Sequence, residues 1–159
     1  MLKVIVHTDG ACSGNPGKGG YGLILQFGKH KKEENQGFKL TTNNRMELLA
    51  AIRSLELLTK EGCDVLIYSD SKYVVQAVEK GWVFGWVKKN FKGKKNPDLW
   101  KRFLVAYERH NVKFQWVKGH AGNEMNERAD FLATSALHLE PILIDQGYED
   151  SIKGDEELF

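Results

Sequence analysis

The hydrophobic periodicity of this chain first turns from that of strands to that of a helix near residue 42, and that change restricts the fold more than any other feature. Residues 3–8 alternate apolar and β-branched side chains as a strand does, Asp9 closes the run, and the turn-rich stretch DGACSGNPGKGG follows. Residues 21–27 (YGLILQF) and a more polar span ending near 39–42 read as two further strands. They are separated by the charged stretch 28–36, as in an antiparallel meander with an exposed edge. Beyond residue 42, Leu48, Ala51, Ile52 and Leu55 recur at the spacing of one helix face, and Gly62 ends that helix. Residues 64–69 (DVLIYS) predict a short apolar strand, and 71–80 a helix closed by Gly81. Asn96-Pro97-Asp98 carries a cap, a proline for the first helical position and an acid for the first turn, opening a helix over 99–110. A strand over 112–117 and a helix from about 123 to 139 complete the pattern, the latter with Ala129, Leu132, Ala133 and Ala136 on its apolar stripe and Pro141 at its end. A meander followed by alternating strands and helices predicts one α/β domain. Its mixed sheet is antiparallel on one side and parallel on the other.

A chain of 159 residues buries about two thirds of the surface that its unfolded form exposes, so it needs no metal or disulfide to fold. Any metal is therefore expected to be catalytic. Cys12 and Cys63 stand alone, without a CxxC or a zinc spacing, and read as reduced thiols. No apolar run reaches the length of a membrane span and the opening MLKVIV is too short for a signal peptide, so the expectation is a cytoplasmic protein with no membrane partner.

The formal charge of +2 conceals a division. Residues 140–159 hold seven acids against Lys153 alone, a net of −6, whereas residues 80–102 hold eight cations against Asp98, a net of +7. A basic block favours a polyanionic partner through counterion release. Trp82, Trp86, Phe91 and Trp100 are interleaved with those lysines, offering flat rings beside cations to bases and sugars, although some of them are expected to be core.

Two acids fall at the carboxyl ends of strands expected to be parallel, where such sheets carry their sites: Asp9 and Asp70. Asp70 equally suits a helix cap. Glu47 lies three residues after Asn44, the spacing of a capping box, and Asp130 sits beside Ala129 at the border of the last apolar stripe. Periodicity does not gather these four. If the fold does, carboxylates so close together stay ionised only with cations, and Mg²⁺ with oxygen ligands is the natural answer.

Five blocks occur in order: TDGACSGNPGKGGYG (8–22), TTNNRMEL (41–48), SDS (69–71), WVKGHAGN (116–123) and NERAD (126–130). Together they strongly resemble the bacterial type 1 ribonuclease H family. The resemblance implies a ribonuclease H-like α/β fold, with a five-stranded mixed sheet flanked by helices, and endonucleolytic cleavage of the RNA strand of RNA/DNA hybrids. It implies that Asp9, Glu47, Asp70 and Asp130 bind two Mg²⁺ ions, with Mn²⁺ as a substitute. Asp9 would bridge both metals, Glu47 and Asp70 would support the one nearer the leaving group, and Asp130 would hold the water side. His120, in KGHAGN, would move protons or help to discharge product.

Cys12, Asn15 and Asn43 or Asn44 would contact the hybrid near the cut, where 2′-hydroxyls distinguish RNA, and Thr42 would hold a DNA phosphate. Turn chemistry for Asn15 and helix capping for Asn44 are compatible with those roles. Residues 80–95 would form a basic protrusion gripping the DNA strand through Trp82, Trp86, Lys88 and Lys89. Lys72 stands where some relatives have Gln, replacing a hydrogen-bonding contact by a charged one. The catalytic domain is placed at 1–148, with no hybrid-binding domain ahead of it, no obligate protein partner and a monomeric state. Residues 149–159 read as a flexible acidic tail, with docking on the basic protrusion as the other reading. A transposase- or resolvase-like enzyme on the same fold and a hybrid-binding module without catalysis are the alternatives; TTNNRMEL with KGHAGN speaks against the first, and the presence of all four acids against the second.

Overall fold

In the computed structural model, residues 2–119 and 121–156 are described, those at 155 and 156 for their backbone only. The meander is β1 (Lys3–Ser13), β2 (Gly17–Phe27) and β3 (His30–Thr41). β1 and β2 pair antiparallel from Ile5↔Gln26 to Ser13↔Lys18, so β1 runs on through Asp9 into the stretch expected to be a turn. Gly14, at a φ of 84°, does form the β1–β2 turn, but Gly20 and, just beyond the stretch, Gly22 are clearances. A Cβ on Gly22 would lie 2.5 Å from the Ala129 carbonyl oxygen, and one on Gly20 2.8 Å from Ala136 Cβ. The charged span 28–36 is likewise strand from His30 on. Its acids are satisfied by arginines, exposed Glu33 by Arg128 and half-buried Glu34 by Arg53.

β4 (Asp64–Ser69) lies parallel to β1, and β5 (Asn111–Trp116) parallel to β4. A two-residue strand, β6 (Ile142–Leu143), adds to the edge of β3, giving six strands in the order β5-β4-β1-β2-β3-β6 where five were expected. A strand of that length leaves no period in a sequence.

One face of the sheet carries the main core, built with α1 (Asn43–Glu56), α2 (Lys72–Glu79) and α4 (Pro97–Tyr107), with Trp100, Phe103, Met46 and Ile52 fully buried. The other face is covered by α5 (Glu124–Ser135), whose Ala129 and Leu132 pack on Ile24; a 3₁₀ turn (Ala136–His138) ends it short of the expected residue 139. The basic segment contains an unexpected helix, α3 (Trp82–Lys88), entered through left-handed Gly81. Its following loop holds Asn90, Phe91, Gly93 and Asn96 at positive φ and buries the Phe91 ring. α6 (Gln146–Glu156) runs through the boundary expected at 148/149, so the acidic stretch is helical as far as Glu156. No helix among the described residues is long and apolar enough to cross a membrane.

Two helix starts differ from expectation. α1 is capped by Thr42, whose hydroxyl accepts from Arg45 N at 3.3 Å, which puts Arg45 and not Glu47 at the capping-box position. Asn96 precedes α4 in a left-handed conformation and makes no side-chain cap bond.

Candidate active site

Asp9 stands in β1 just past the last β4 pairing, His7↔Tyr68, and Asp70 just past the end of β4. Ser71, not Asp70, caps α2 by accepting from Val74 N. Freed from capping, Glu47 points from α1 back to β1. There the Gly10 N–H donates to Asp9 Oδ1 (2.9 Å) and to Glu47 Oε1 (3.0 Å), joining its own neighbour to an acid 37 residues from Gly10. Gly10 has to be glycine for this approach, since a Cβ would lie 2.7 Å from Glu47 N. One carboxylate oxygen each from Asp9, Glu47 and Asp70 lie within 4.8 Å of one another.

Asp130 comes to the same place from α5. It lines with Asp9 and Asp70 an open cavity of about 370 Å³ that also takes in Glu47, Asn43, Asn44, Lys72 and Tyr73. The four acids are thus brought together. Burial, then the charge of Asp70, pushes the Asp9 pKa up to about 7. Burial, then the charges of Asp9 and Asp70, holds Glu47 well above the usual carboxylate range. Glu47 Oε2 is buried and has no hydrogen-bond partner among the described residues. A buried acceptor left open between like-charged acceptors is what an oxygen-preferring cation satisfies.

The other candidates divide. His120 lies outside the described residues; its neighbour Gly119 sits against Asp70, where a Cβ would be 2.9 Å from Oδ2. Asn15 Oδ1 accepts from Asn43 N at 3.1 Å and ties the β1–β2 turn to the start of α1. Cys12 Sγ donates to the carbonyls of Gly17 and Thr41, at 3.7 and 3.6 Å. The Thr42 hydroxyl is engaged as the α1 cap, and Asn44 is free of capping. Lys72 places its ammonium 5.1 Å from the centre of the Trp116 ring, whose indole N–H donates to the Asp70 carbonyl.

Beside the carboxylate cavity lies a pocket of about 290 Å³ lined by Asn44, Tyr73, Trp82, Trp86, Gly93, Lys94, Lys95 and Asn96. Trp82 is 46% exposed, whereas Trp86 packs edge-on against buried Trp100 with Lys94 over its ring. Lys89 lines the adjoining groove with Lys92 and Lys94; Lys88, exposed at the end of α3, lines neither. Gly10, Tyr73 and Asn96 stand at these cavities without having been singled out by the sequence, whereas Lys94 and Lys95 belong to the basic segment expected to grip the DNA strand. Nothing local marks Tyr73, which lines both cavities.

Residues 1–138 match the RNase H family. The ribonuclease H of Syntrophus aciditrophicus is 52% identical over 151 residues, spanning 92% of this chain and 87% of that one. That of Desulforamulus reducens is 55% identical over 141 residues, 86% and 88% of the two chains. Among solved structures, LC9-RNase H1, a type 1 RNase H with the type 2 active-site motif, aligns with a TM-score of 0.79 at 30% identity, covering 94% of this chain and 80% of that one. LC11-RNase H1, in complex with an RNA/DNA hybrid, aligns with a TM-score of 0.61 at 25% identity, covering 85% and 96%.

Proposed function

The chain belongs to the ribonuclease H family and is a hydrolase of RNA/DNA hybrids; we propose that it cuts the RNA strand with two Mg²⁺ ions held by Asp9, Glu47, Asp70 and Asp130, leaving 5′-phosphate and 3′-hydroxyl ends. The observation that carries this reading is the buried, unpaired Glu47 Oε2 among the oxygens of Asp9 and Asp70. The donor set is all carboxylate, which suits a hard divalent cation and not a thiolate-seeking one. When bound, the metal supplies Lewis-acid activation of water and stabilisation of the leaving oxygen.

The chain's own groups prepare the site. Burial and the charge of Asp70 hold the Asp9 pKa at about 7, and burial with the charges of Asp9 and Asp70 raises that of Glu47, so a cation that favours the ionised forms releases protons on binding. The Gly10 N–H orients both carboxylates, and the Trp116 indole holds the Asp70 backbone. His120, next to Gly119, is assigned the movement of protons on the product side. Cys12, Asn15, Thr42, Asn43 and Asn44 at the β1–β2 turn and the α1 start are assigned to the hybrid near the cut, Lys72 to its backbone, and Trp82, Trp86, Lys88 and Lys89 to the DNA strand. We read the protein as a monomer of the reducing cytoplasm, which its two free thiols suit.

The test offers end-labelled RNA/DNA hybrid, duplex DNA, duplex RNA and single-stranded RNA to the protein with Mg²⁺, Mn²⁺ or EDTA, alongside Asp70→Asn. Cleavage confined to the RNA of the hybrid, lost in EDTA and in the variant, is expected. Undiminished cleavage by Asp70→Asn would refute the assignment.

A further inference from the structure

Arg45 sits in the first turn of α1, buried to 2% exposure, and all five of its N–H groups are spent. Nε and Nη2 donate to the two oxygens of Asp145 at 2.8 Å each. Nη2 and Nη1 donate to the two oxygens of Asp98 at 2.7 and 2.9 Å. The remaining Nη1 donor goes to Asn96 Oδ1 at 3.3 Å. Asn96 in turn donates from Nδ2 to the Tyr73 hydroxyl at 3.0 Å, and that oxygen also receives the Trp100 indole N–H at 2.9 Å.

Asn96 is an odd residue for its place. It holds a left-handed backbone (φ 62°) at a helix N-terminus, yet its side chain caps nothing and instead bonds Arg45 and Tyr73. It closes the loop that carries Lys94 and Lys95, and it lines, with Tyr73, the pocket between those lysines and the two tryptophans. Arg45 lies on the helix of Glu47, and Tyr73 on the helix that follows Asp70.

We infer that Asp145 and Arg45 are positioning residues for the hybrid. Asp145, anchored by the Thr41 hydroxyl at 2.7 Å, fixes the plane of the Arg45 guanidinium so that one N–H is left for Asn96, and Asn96 thereby holds the lysine loop in register with the carboxylate-bearing helices. The guanidinium is a rigid fork, so turning it to follow a displaced Asp145 misdirects the donor meant for Asn96. The segment just before α6 therefore contributes to substrate affinity without touching substrate. Gly147 explains how it comes so close: a Cβ there would meet both Asp98 and Arg45.

This rests on the hybrid being the substrate. The experiment is a double-variant cycle of Asp145→Asn and Asn96→Gly, glycine being at ease at the positive φ of residue 96. Hybrid Kd is read by anisotropy in EDTA, and KM and kcat in Mg²⁺. Each single variant should weaken Kd and raise KM about three- to tenfold with kcat within about twofold, and the double variant should be no worse than the weaker single. Effects that multiply, a fall in kcat at constant KM, or no change in Kd would overturn the inference. So would an equal rise in KM for Val112→Ala, a core change in β5 that lowers stability alone. If Asp145→Asn does not fold, Thr41→Val, which removes the hydroxyl holding Asp145, takes its place in the cycle. A wild-type protein that binds hybrid without cutting it would sink the proposed function and leave the Kd cycle decisive; one that does not bind hybrid overturns both.

Discussion

Asp9→Asn should make the metal-free protein more stable at alkaline pH while abolishing cleavage. In the folded chain burial and the charge of Asp70 hold the Asp9 pKa at about 7, against 3.8 for an unburied aspartate. The folded state therefore binds more protons than the unfolded one between those values, and stability falls as pH rises through that window. The cost is absent below about pH 4 and complete above about pH 7, where the gap is equivalent to about 4 kcal/mol. That figure is a ceiling, because the open cavity beside Asp9 admits solvent that screens its charge. A neutral Asn carries none of the cost. The expected gain is about 1–3 kcal/mol at about pH 8, or about 3–10 °C in Tm for a chain of this size, and close to nothing at about pH 4. Thermal melts in EDTA at both pH values measure it, and Mg²⁺ should raise the Tm of the wild type more than that of the variant at the higher pH. A variant no more stable than the wild type at about pH 8, or one whose gain is the same at both pH values, would refute the reasoning.

Arg45→Met should cost about 3–5 kcal/mol in denaturant unfolding, because it leaves Asp145 buried without its partner. Gly22→Ala should cost about 1–3 kcal/mol and lower kcat, since the new methyl meets the Ala129 carbonyl and moves the helix that carries Asp130; a melt and a turnover assay check the two halves. Replacing Lys88, Lys89, Lys92, Lys94 and Lys95 by Ala should weaken hybrid binding and flatten its dependence on salt by about 0.9 in log–log slope for each phosphate no longer neutralised, and an unchanged slope would remove this loop from the interface.

The fold class was legible because burial on one face leaves a period in the chain. α1 and α5 followed their apolar stripes, and β4 its short apolar run. What misled was residue type without partner. Gly20 of β2 resembled part of a turn and with Gly22 is the clearance under α5, and the charged start of β3 resembled a loop because its arginine partners lie on α1 and α5. Asn44 and Asn96 had the chemistry of caps, but Thr42 took one cap, and Arg45 with Tyr73 took the other side chain. β6 was too short to leave a pattern.

By itself the sequence determined the order and kind of most elements, the separation of a basic segment from an acidic end, and, through its motifs, which four acids to consider. The tertiary structure decided that those acids meet. Asp9 and Glu47 share the N–H of Gly10, 37 residues from Glu47, and Arg45 binds a carboxylate 100 residues away. Periodicity records which face of an element is buried and not what it is buried against. A pKa pushed to about 7, an unpaired carboxylate oxygen and a fully used guanidinium are properties of neighbours, and neighbours exist only once the chain has folded.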